Sequence, residues 1–344
     1  MESQSKKVYL HIGLHKTGTT TLQNFLSRNK NVLLNYGYLY PESGMTYFGH
    51  HNLPWQVRPD PRFSNKHGTW QDLHAEIESK SVNNIILSSE DFESLPPDSI
   101  EKVRQELQPY ETQLIVYLRR QDSLIQSMYT QLIKGGHRGT FSNFLREAKN
   151  VNSKLSQRFQ FDLHLKPWTD CFNIDNVIVR PLEKQQLHEQ HICWDFLKNI
   201  QLLKYDREKF TKPQELHGSP SHETLEILRY VSNTLDNHIV KKSGKEQGRF
   251  LEPILKYYQK NQSNKDKFNQ LSRSESLDIL KIFSKSNSNV AREYLAREDG
   301  QLFYEEPQEK EITSFHISEI SHDTQFEIML VLLQEIWNEI DALK

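Results

Sequence analysis

Residues 11–21 read HIGLHKTGTTT and combine one lysine with glycines and threonines over a short stretch. An apolar run precedes this stretch and a helical pattern follows it, so we expect a loop that ends at a helix start near Gly18. The N–H groups of a first helical turn have no acceptor within the helix, and the positive end of the helix dipole favours an anion. The stretch therefore predicts a site for a phosphate or sulfate group. Its candidate binding residues are Lys16, Thr17, Gly18, Thr19, Thr20 and Thr21.

The spacing of the glycines bears on which anion is bound. Gly13 and Gly18 are separated by four residues, as in the phosphate-binding loop of ATP- and GTP-dependent enzymes, but Thr19 follows where that loop has a lysine. Lys16 lies within the loop instead, from where it would reach the bridging and terminal oxygens of a phospho-anhydride. An ordinary nucleotide kinase is therefore not favoured. The alternative without a bound anion is a helix start rich in glycine and threonine with a solvent-facing lysine.

A second pair of residues could bind another phosphate. Residues 116–131 read VYLRRQDSLIQSMYTQ, so Arg119 ends a strand and Ser127 follows eight residues later, about two turns into the next helix. Both side chains can converge on one phosphate group. Arg120, at a spacing of seven, is the alternative cation.

The strands and helices around these two motifs are predicted to alternate along the chain. Short β-rich runs are separated by helical patterns, which predicts a parallel, three-layer α/β sheet with ligands beyond the carboxyl ends of its strands. After about residue 215 the pattern becomes helical. We therefore expect an α/β core in residues 1–215, with an insertion at 36–75, and a helical C-terminal cap in residues 216–344. The four β-rich runs are residues 6–13, 83–90, 112–120 and 175–183.

Composition narrows the classes of partner. The 344 residues include 43 Lys and Arg against 45 Asp and Glu, so no overall basic field attracts nucleic acid. The two cysteines cannot form a disulfide framework, and we see neither an apolar leader nor a membrane-spanning run. These features predict a cytoplasmic protein. No Cys and His spacing typical of a metal site is present, so we expect no metal.

The two motifs resemble those of sulfotransferases that use 3′-phosphoadenosine 5′-phosphosulfate (PAPS), in particular the bacterial, carbohydrate-type group. In that family a K-[ST]-G-T-[TS] run after the first strand binds the 5′-phosphosulfate, and an arginine, a serine eight residues later and a tyrosine two further hold the 3′-phosphate. Lys16 to Thr21 match the first motif, and Arg119, Ser127 and Tyr129 match the second. The resemblance implies a P-loop-like fold, PAPS as co-substrate, 3′-phosphoadenosine 5′-phosphate (PAP) as product, and Lys16 stabilising the leaving phosphate.

A third segment resembles the loop with which carbohydrate-type sulfotransferases close over the nucleotide. Residues 241–253 read KKSGKEQGRFLEP, and the resemblance implies a nucleotide-binding role for Gly248 and Arg249. A solvated basic linker is the alternative interpretation of this segment.

Transfer of a sulfuryl group to a hydroxyl needs a base close to the acceptor oxygen. Glu90 ends a strand at the edge where ligands bind and is ranked first, and His51, in the insertion, is ranked second. Aromatic residues in that insertion favour a carbohydrate acceptor. A small alcohol or phenol acceptor, an unusual nucleotide kinase and a non-catalytic nucleotide-binding protein remain as alternatives. The aromatic residues are Tyr36, Tyr38, Tyr40, Tyr47, Phe48, Trp55 and Trp70.

Overall fold

The chain has a mixed α/β fold built around a parallel sheet. The computed structural model describes residues 5–202, 204–214, 220–238, 251–258, 268–314 and 321–342. Within them, the sheet consists of β1 (Lys7–His11), β2 (Tyr38–Leu39), β3 (Asn84–Ser88), β4 (Glu111–Leu118) and β5 (Val177–Pro181). Its strand order is β2-β3-β1-β4-β5, and each neighbouring pair is parallel. The predicted α/β class with a parallel sheet is confirmed, and β2 is an edge strand that the sequence did not predict.

Helices flank the sheet. None of those in the described ranges is both long enough and apolar enough to cross a membrane. In chain order they are α1 (Thr19–Arg28), α2 (Lys30–Asn35), α3 (Asn52–Val57), α4 (Trp70–Glu78), α5 (Pro97–Leu107), α6 (Gln121–Lys134), α7 (Phe141–Lys149), α8 (Lys154–Gln157), α9 (Phe161–Phe172), α10 (Ile192–Asn199), α11 (His222–His238), α12 (251–258), α13 (Arg273–Ile282), α14 (Ser284–Leu295) and α15 (His322–Ala342).

The chain divides into two compact units. The first consists of Met1–Arg120, Gln157–Leu216 and Phe283–Glu306, and it contains the whole sheet. The second consists of Gln121–Ser156, His217–Ile282 and Pro307–Lys344, and its described elements are helical.

The sheet of the first unit is buried on both faces, which explains why its strands read as apolar runs in the sequence. Residues 114–118 of β4 are each at most 1% exposed, and β1 and β3 are buried from their second residue onward. The helix α5 shows the matching pattern: Ile100, Val103 and Leu107 are buried at helical spacing.

Strand order determines which loops meet. β1 lies between β3 and β4, because Lys7 pairs with Asn84 on one side and with Glu111 on the other. The chain leaves β1 toward β2 at one edge of the sheet and leaves β4 toward β5 at the other. Ligand crevices in parallel sheets form outside the carboxyl ends of such diverging strands. The loops after β3, β1 and β4 therefore lie side by side at one end of the sheet.

The second unit contains an aromatic cluster around Tyr129 of α6. The Tyr129 ring lies 5.2 Å from that of Phe141 and 5.7 Å from those of Phe144 and Phe268. Its hydroxyl donates to the Gly139 carbonyl oxygen at 3.1 Å, and burial raises its pKa to about 12. Tyr129 is thus part of the core of this unit.

A capping box starts α13. The Ser272 N–H donates to Glu275 Oε2 at 2.9 Å, and the Glu275 N–H donates to Ser272 Oγ at 3.2 Å. This reciprocal pair satisfies two N–H groups that the helix itself leaves without an acceptor.

Candidate functional site

The loop between β1 and α1 has the geometry of an anion-binding loop. Lys16 and Gly18 both have positive φ angles, 69° and 82°, and α1 begins at Thr19. A Cβ at position 13 would lie 2.4 Å from Thr19 Cγ2, so only glycine fits there. The loop therefore turns tightly against the first turn of α1, whose N–H groups face the end of β1.

Side chains from other elements fix this loop. Thr17 Oγ1 donates to the Leu14 carbonyl oxygen at 2.6 Å, and the His15 N–H donates to Glu93 Oε2 at 2.7 Å. Glu93 in turn pairs with Arg158 at 3.1 Å, and its side chain is only 5% exposed. Because the Thr17 hydroxyl proton is used inside the loop, Thr17 contributes to the shape of the loop rather than an extra donor for a ligand. Thr19 is buried, Thr21 half-buried and Thr20 exposed.

Lys16 lies among charged groups of both signs. Its pKa is lowered, mainly by burial and further by the charge of Arg119, while Glu90 acts in the opposite direction. Arg119, just after β4, donates from Nη1 to the Lys16 carbonyl oxygen at 3.1 Å. The structure thus brings together one predicted residue from each of the three neighbouring loops. A lysine with a lowered pKa beside a second cation is an environment that an added anion would stabilise.

Glu90 begins a short 3-10 turn, Glu90–Ser94, directly after β3. Its Oε2 accepts a hydrogen bond at 2.9 Å from Nε2 of Gln23 in α1, and the same amide lies 3.3 Å from Ser88 Oγ. The carboxylate is therefore held at the carboxyl end of the sheet, next to the loop that contains Lys16.

His51 lies at the start of α3 and reaches the same turn. Its Nδ1 is 2.8 Å from Ser89 Oγ, 3.4 Å from Asp91 Oδ2 and 3.9 Å from Glu90 Oε2. The ring stacks on Trp55 with centroids 6.0 Å apart. The two residues that the sequence ranks as possible bases are therefore neighbours in one cluster.

Two other histidines near this cluster are buried and neutral. His50 Nδ1 accepts from the Ser88 N–H at 3.1 Å and its Nε2 donates to the Pro41 carbonyl oxygen at 3.0 Å, so both nitrogens are used in one neutral tautomer. Burial lowers its pKa to about 4. His11, at the end of β1, lies 2.8 Å from Ser88 Oγ, and burial lowers its pKa to about 3.

These two histidines predict a loss of stability in mild acid. Unfolding returns each ring to a pKa of about 6.5, so between pH 6.5 and 4 these two rings bind up to two more protons in the unfolded chain than in the folded one. We expect the free energy of unfolding to fall with decreasing pH across this window, by about 1.4 kcal/mol per pH unit for each histidine. Urea titrations at several pH values measure this slope.

Single variants separate the two contributions. His11→Asn and His50→Gln should each reduce the slope by one proton, whatever they do to absolute stability, and the exposed His67→Gln should leave the slope unchanged. A slope that stays the same in both buried variants would contradict the assignment.

The remaining predicted site residues are Ser127, Arg120, Gly248 and Arg249. Ser127 belongs to α6 in the second unit, so its pairing with Arg119 stays a prediction. Arg120 Nη1 donates to the Glu305 carbonyl oxygen at 2.5 Å, a different partner from that of Arg119. Gly248 and Arg249 lie outside the described residues.

The sequence reasoning missed several groups that hold the cluster together. Gln23 is a buried polar residue of α1 that lies next to Leu22 in the sequence, and Asp91 ends the run SED that directly follows a buried strand. Both patterns could have marked Gln23 and Asp91 as candidate site residues from the sequence. Arg62 and Glu93 carried no such signal, because each acts through a contact distant in sequence.

Comparisons with known proteins give similarities without a family assignment. No protein-family model matches the chain. A stretch of 222 residues is 25% identical to an uncharacterized protein from Archaeoglobus fulgidus; it covers 64% of this chain but only 56% of the relative's length. A sulfotransferase from Alicyclobacillus acidocaldarius has a TM-score of 0.33 at 11% identity, over 77% of this chain and 97% of that one. Mouse sulfotransferase SULT7A1 complexed with PAP has a TM-score of 0.32 at 12% identity, over 76% and 87%. Sequence identities and TM-scores this low do not establish an activity for this chain.

Proposed function

We propose that this protein is a sulfotransferase that moves a sulfuryl group from PAPS to an acceptor hydroxyl. The observation that carries the proposal is the meeting of three loops at the carboxyl edge of β3, β1 and β4. These loops supply the turn with Lys16, the cation Arg119 and the carboxylate Glu90, and His51 from the start of α3 lies beside Glu90. Groups that could bind an anion and groups that could accept a proton are thus close together, which supports the proposal.

The loop fits a phosphosulfate better than a nucleoside triphosphate. A triphosphate-binding loop places its lysine at the first helical position, directly after the second glycine. Here Thr19 occupies that position, and the cation is Lys16, two residues before Gly18. A sulfuryl group carries less negative charge than a phosphoryl group, so one lysine and the helix-end N–H groups can supply the stabilisation needed.

The proposed reaction is an in-line displacement at sulfur. The bond from the acceptor oxygen to sulfur forms while the bond from sulfur to the phosphate oxygen breaks, and PAP leaves with the electron pair of that bond. The proton of the acceptor hydroxyl passes to a base, for which Glu90 and His51 are the candidates. Lys16 stabilises the negative charge that develops on the departing phosphate.

The acceptor we favour is a carbohydrate. The turn that precedes His51 carries two aromatic side chains at the surface: Tyr47 is 92% exposed and Phe48 is 37% exposed. Exposed aromatic faces with polar groups nearby suit the apolar faces of sugar rings. They would also suit a phenol, which keeps small alcohols and phenols as the second class to test.

Ligand binding tests the donor directly. We expect PAP and PAPS to raise the thermal unfolding temperature and ATP and GTP to leave it unchanged, because a ligand at 100 times its Kd adds about 2.7 kcal/mol of stability. A transfer assay from PAPS to sugars, alcohols and phenols then identifies the acceptor class. Stabilisation by ATP alone would favour a kinase, and PAP binding without transfer to any acceptor would favour a non-catalytic nucleotide-binding protein.

Arg119 should determine the choice between adenine nucleotides. If it pairs with the 3′-phosphate, Arg119→Ala weakens PAP binding by about 1.5–3 kcal/mol, the value of a charge-assisted hydrogen bond. Adenosine 5′-phosphosulfate lacks that phosphate, so its affinity should change much less. Isothermal titration calorimetry with both ligands measures the difference.

Arg120→Ala is the matched comparison for this variant, since Arg120 is the neighbouring arginine and its guanidinium donates to the Glu305 carbonyl oxygen. It should leave both affinities close to wild type. Equal losses for the two ligands in Arg119→Ala would assign Arg119 only to holding the Lys16 carbonyl oxygen.

A further inference from the structure

The surroundings of the His51 ring differ at its two nitrogens. Nδ1 faces three oxygen atoms, those of Ser89 at 2.8 Å, Asp91 at 3.4 Å and Glu90 at 3.9 Å. Two of these belong to carboxylates, which can only accept hydrogen bonds when ionised. A lone pair on Nδ1 would point at negative charge, whereas a proton there is attracted to it. The surroundings therefore favour the neutral tautomer with its proton on Nδ1.

Asp91 is fixed in place by several contacts. Its N–H donates to Ser89 Oγ at 3.1 Å, and Arg62 Nη2 donates to its Oδ1 at 3.3 Å. Arg62 is itself held by two hydrogen bonds to the Asp60 carboxylate and lies over the Trp55 ring at 4.5 Å. Trp55 stacks on His51 as well. The aspartate and the imidazole are thus attached to one rigid group of side chains.

The charge of Asp91 suits this position. Burial raises its pKa, but the hydrogen bond with His51 and the charges of Arg62, His51 and His15 lower it more, so the pKa lies below its ordinary value. Asp91 therefore stays ionised at neutral pH and can stabilise a positive charge on the imidazole next to it.

At the other end of the ring, Nε2 adjoins a residue without a side chain. A Cβ at Gly49 would lie 2.9 Å from His51 Nε2 and 2.8 Å from Cδ of Gln23, the residue that holds Glu90. Within the part of the chain that the structure describes, the hydrogen bonds of the His51 ring are made through Nδ1. Nε2 thus lies at the side of the ring away from Asp91, beside the turn that bears Tyr47 and Phe48.

From these contacts we propose, resting on the sulfuryl transfer proposed above, that Asp91 is a positioning residue for His51 and that His51 is the base. Asp91 keeps the proton on Nδ1, so Nε2 carries the lone pair that takes the acceptor proton. The ring then becomes a cation between Asp91 and the reacting hydroxyl, and the carboxylate stabilises it without taking the proton. Glu90 remains the charge partner of Lys16 and the acceptor from Gln23.

Several charged and titratable groups bear on His51 and must be considered in any pH profile. Its own helix start contributes His50, the turn after β3 contributes Glu90 and Asp91, and the segment before α4 contributes Arg62 through Asp91. The charge of His15, in the loop between β1 and α1, also lowers the pKa of Asp91. His50 is buried and its pKa is about 4, so it does not titrate in the range where transfer would be measured.

Asp91→Asn tests the proposal. An asparagine amide can donate to Nδ1 and favour the wrong tautomer, so we expect kcat for transfer from PAPS to fall by about 10²- to 10⁴-fold. The acceptor KM and PAP affinity should stay within about threefold, because the proposal has Asp91 act through His51 and not through contact with either ligand. The acid limb of kcat/KM should move to lower pH, since the cation loses its carboxylate. Asp91→Glu should recover part of kcat, and the exposed Asp98→Asn should behave as wild type.

A second measurement does not depend on activity. Long-range proton–nitrogen correlation spectra of the full chain labelled with ¹⁵N-histidine report which ring nitrogen carries the proton, with His51→Gln identifying the signal. We expect the Nδ1–H tautomer in the wild type and a larger Nε2–H population in Asp91→Asn. A wild-type Nε2–H tautomer, or full transfer by Asp91→Asn, would overturn the proposal. A wild type that binds no PAP and transfers no sulfuryl group would instead refute the proposed function, and the tautomer would still decide the role of Asp91.

Discussion

His51→Gln should lower kcat for sulfuryl transfer by about 10²- to 10⁴-fold, the range for losing a general base. Glutamine keeps a polar side chain against Ser89 but has no group that takes a proton at neutral pH. Fold and PAP affinity should be retained, since the His51 contacts lie within the turn after β3 and its own helix start. Steady-state kinetics with PAPS and the best acceptor, together with PAP titration, measure both quantities.

Comparing Glu90→Gln with His51→Gln tests which of the two residues is the base. If His51 is the base, this variant loses only the charge opposite Lys16 and keeps an oxygen for the Gln23 amide, so kcat should fall far less than in His51→Gln. His67→Gln, an exposed change in the same insertion, is the control and should leave transfer unchanged. The reverse pattern, a collapse in Glu90→Gln with near-normal turnover in His51→Gln, would restore the ranking that the sequence favours and would exclude the role proposed for Asp91.

Lys16→Ala should lower kcat by about 10²- to 10³-fold, the scale for removing one preorganised electrostatic donor. The loop should keep its shape, because the contacts of Thr17, His15 and the Lys16 carbonyl oxygen do not use the lysine side chain. The lowered pKa of Lys16 adds a pH dependence. As pH rises, the free enzyme loses this positive charge earlier than an ordinary lysine would, so kcat/KM should decline on the basic side in the wild type and lose that limb in Lys16→Ala.

Lys66→Ala is the matched control, because Lys66 is exposed and its contact with Ser64 is made by the backbone. It should show wild-type rates at each pH. Transfer by Lys16→Ala within threefold of wild type would remove Lys16 from the reaction and leave it a role in nucleotide affinity at most.

The four strands whose residues are apolar because they are buried could be predicted from the sequence. β1, β3, β4 and β5 are apolar runs because helices cover both faces of the sheet, and each was predicted close to its observed bounds. β2 was missed because two residues are too few for an alternating or apolar pattern. Its pairing of Tyr38 with Asn84 depends on where the chain after α2 meets β3, which local residue preferences do not determine.

For the candidate site, the sequence found residues whose role is local and missed those that act through distant contacts. Lys16 is recognisable because its neighbours along the chain form the loop around it. Asp91 contacts a ring 40 positions earlier in the chain, so its relation to His51 depends on how the insertion folds back onto the turn after β3. The ranking of Glu90 over His51 rested on the rigidity of a strand end. Buried contacts with Ser89, Asp91 and Trp55 give the histidine a comparable rigidity.

The left-handed backbone at Lys16 affects which residue a selection for heat resistance would favour at this position. A residue with a Cβ is strained by about 1–2 kcal/mol at such a φ angle, and glycine is not. Lys16→Gly would therefore relax the backbone and raise the melting temperature while it removes the cation. A library randomised at this position and sorted for heat resistance would enrich an inert protein. Thermal stability thus favours glycine at position 16, whereas the proposed activity requires lysine. Only a screen that measures turnover would retain the lysine.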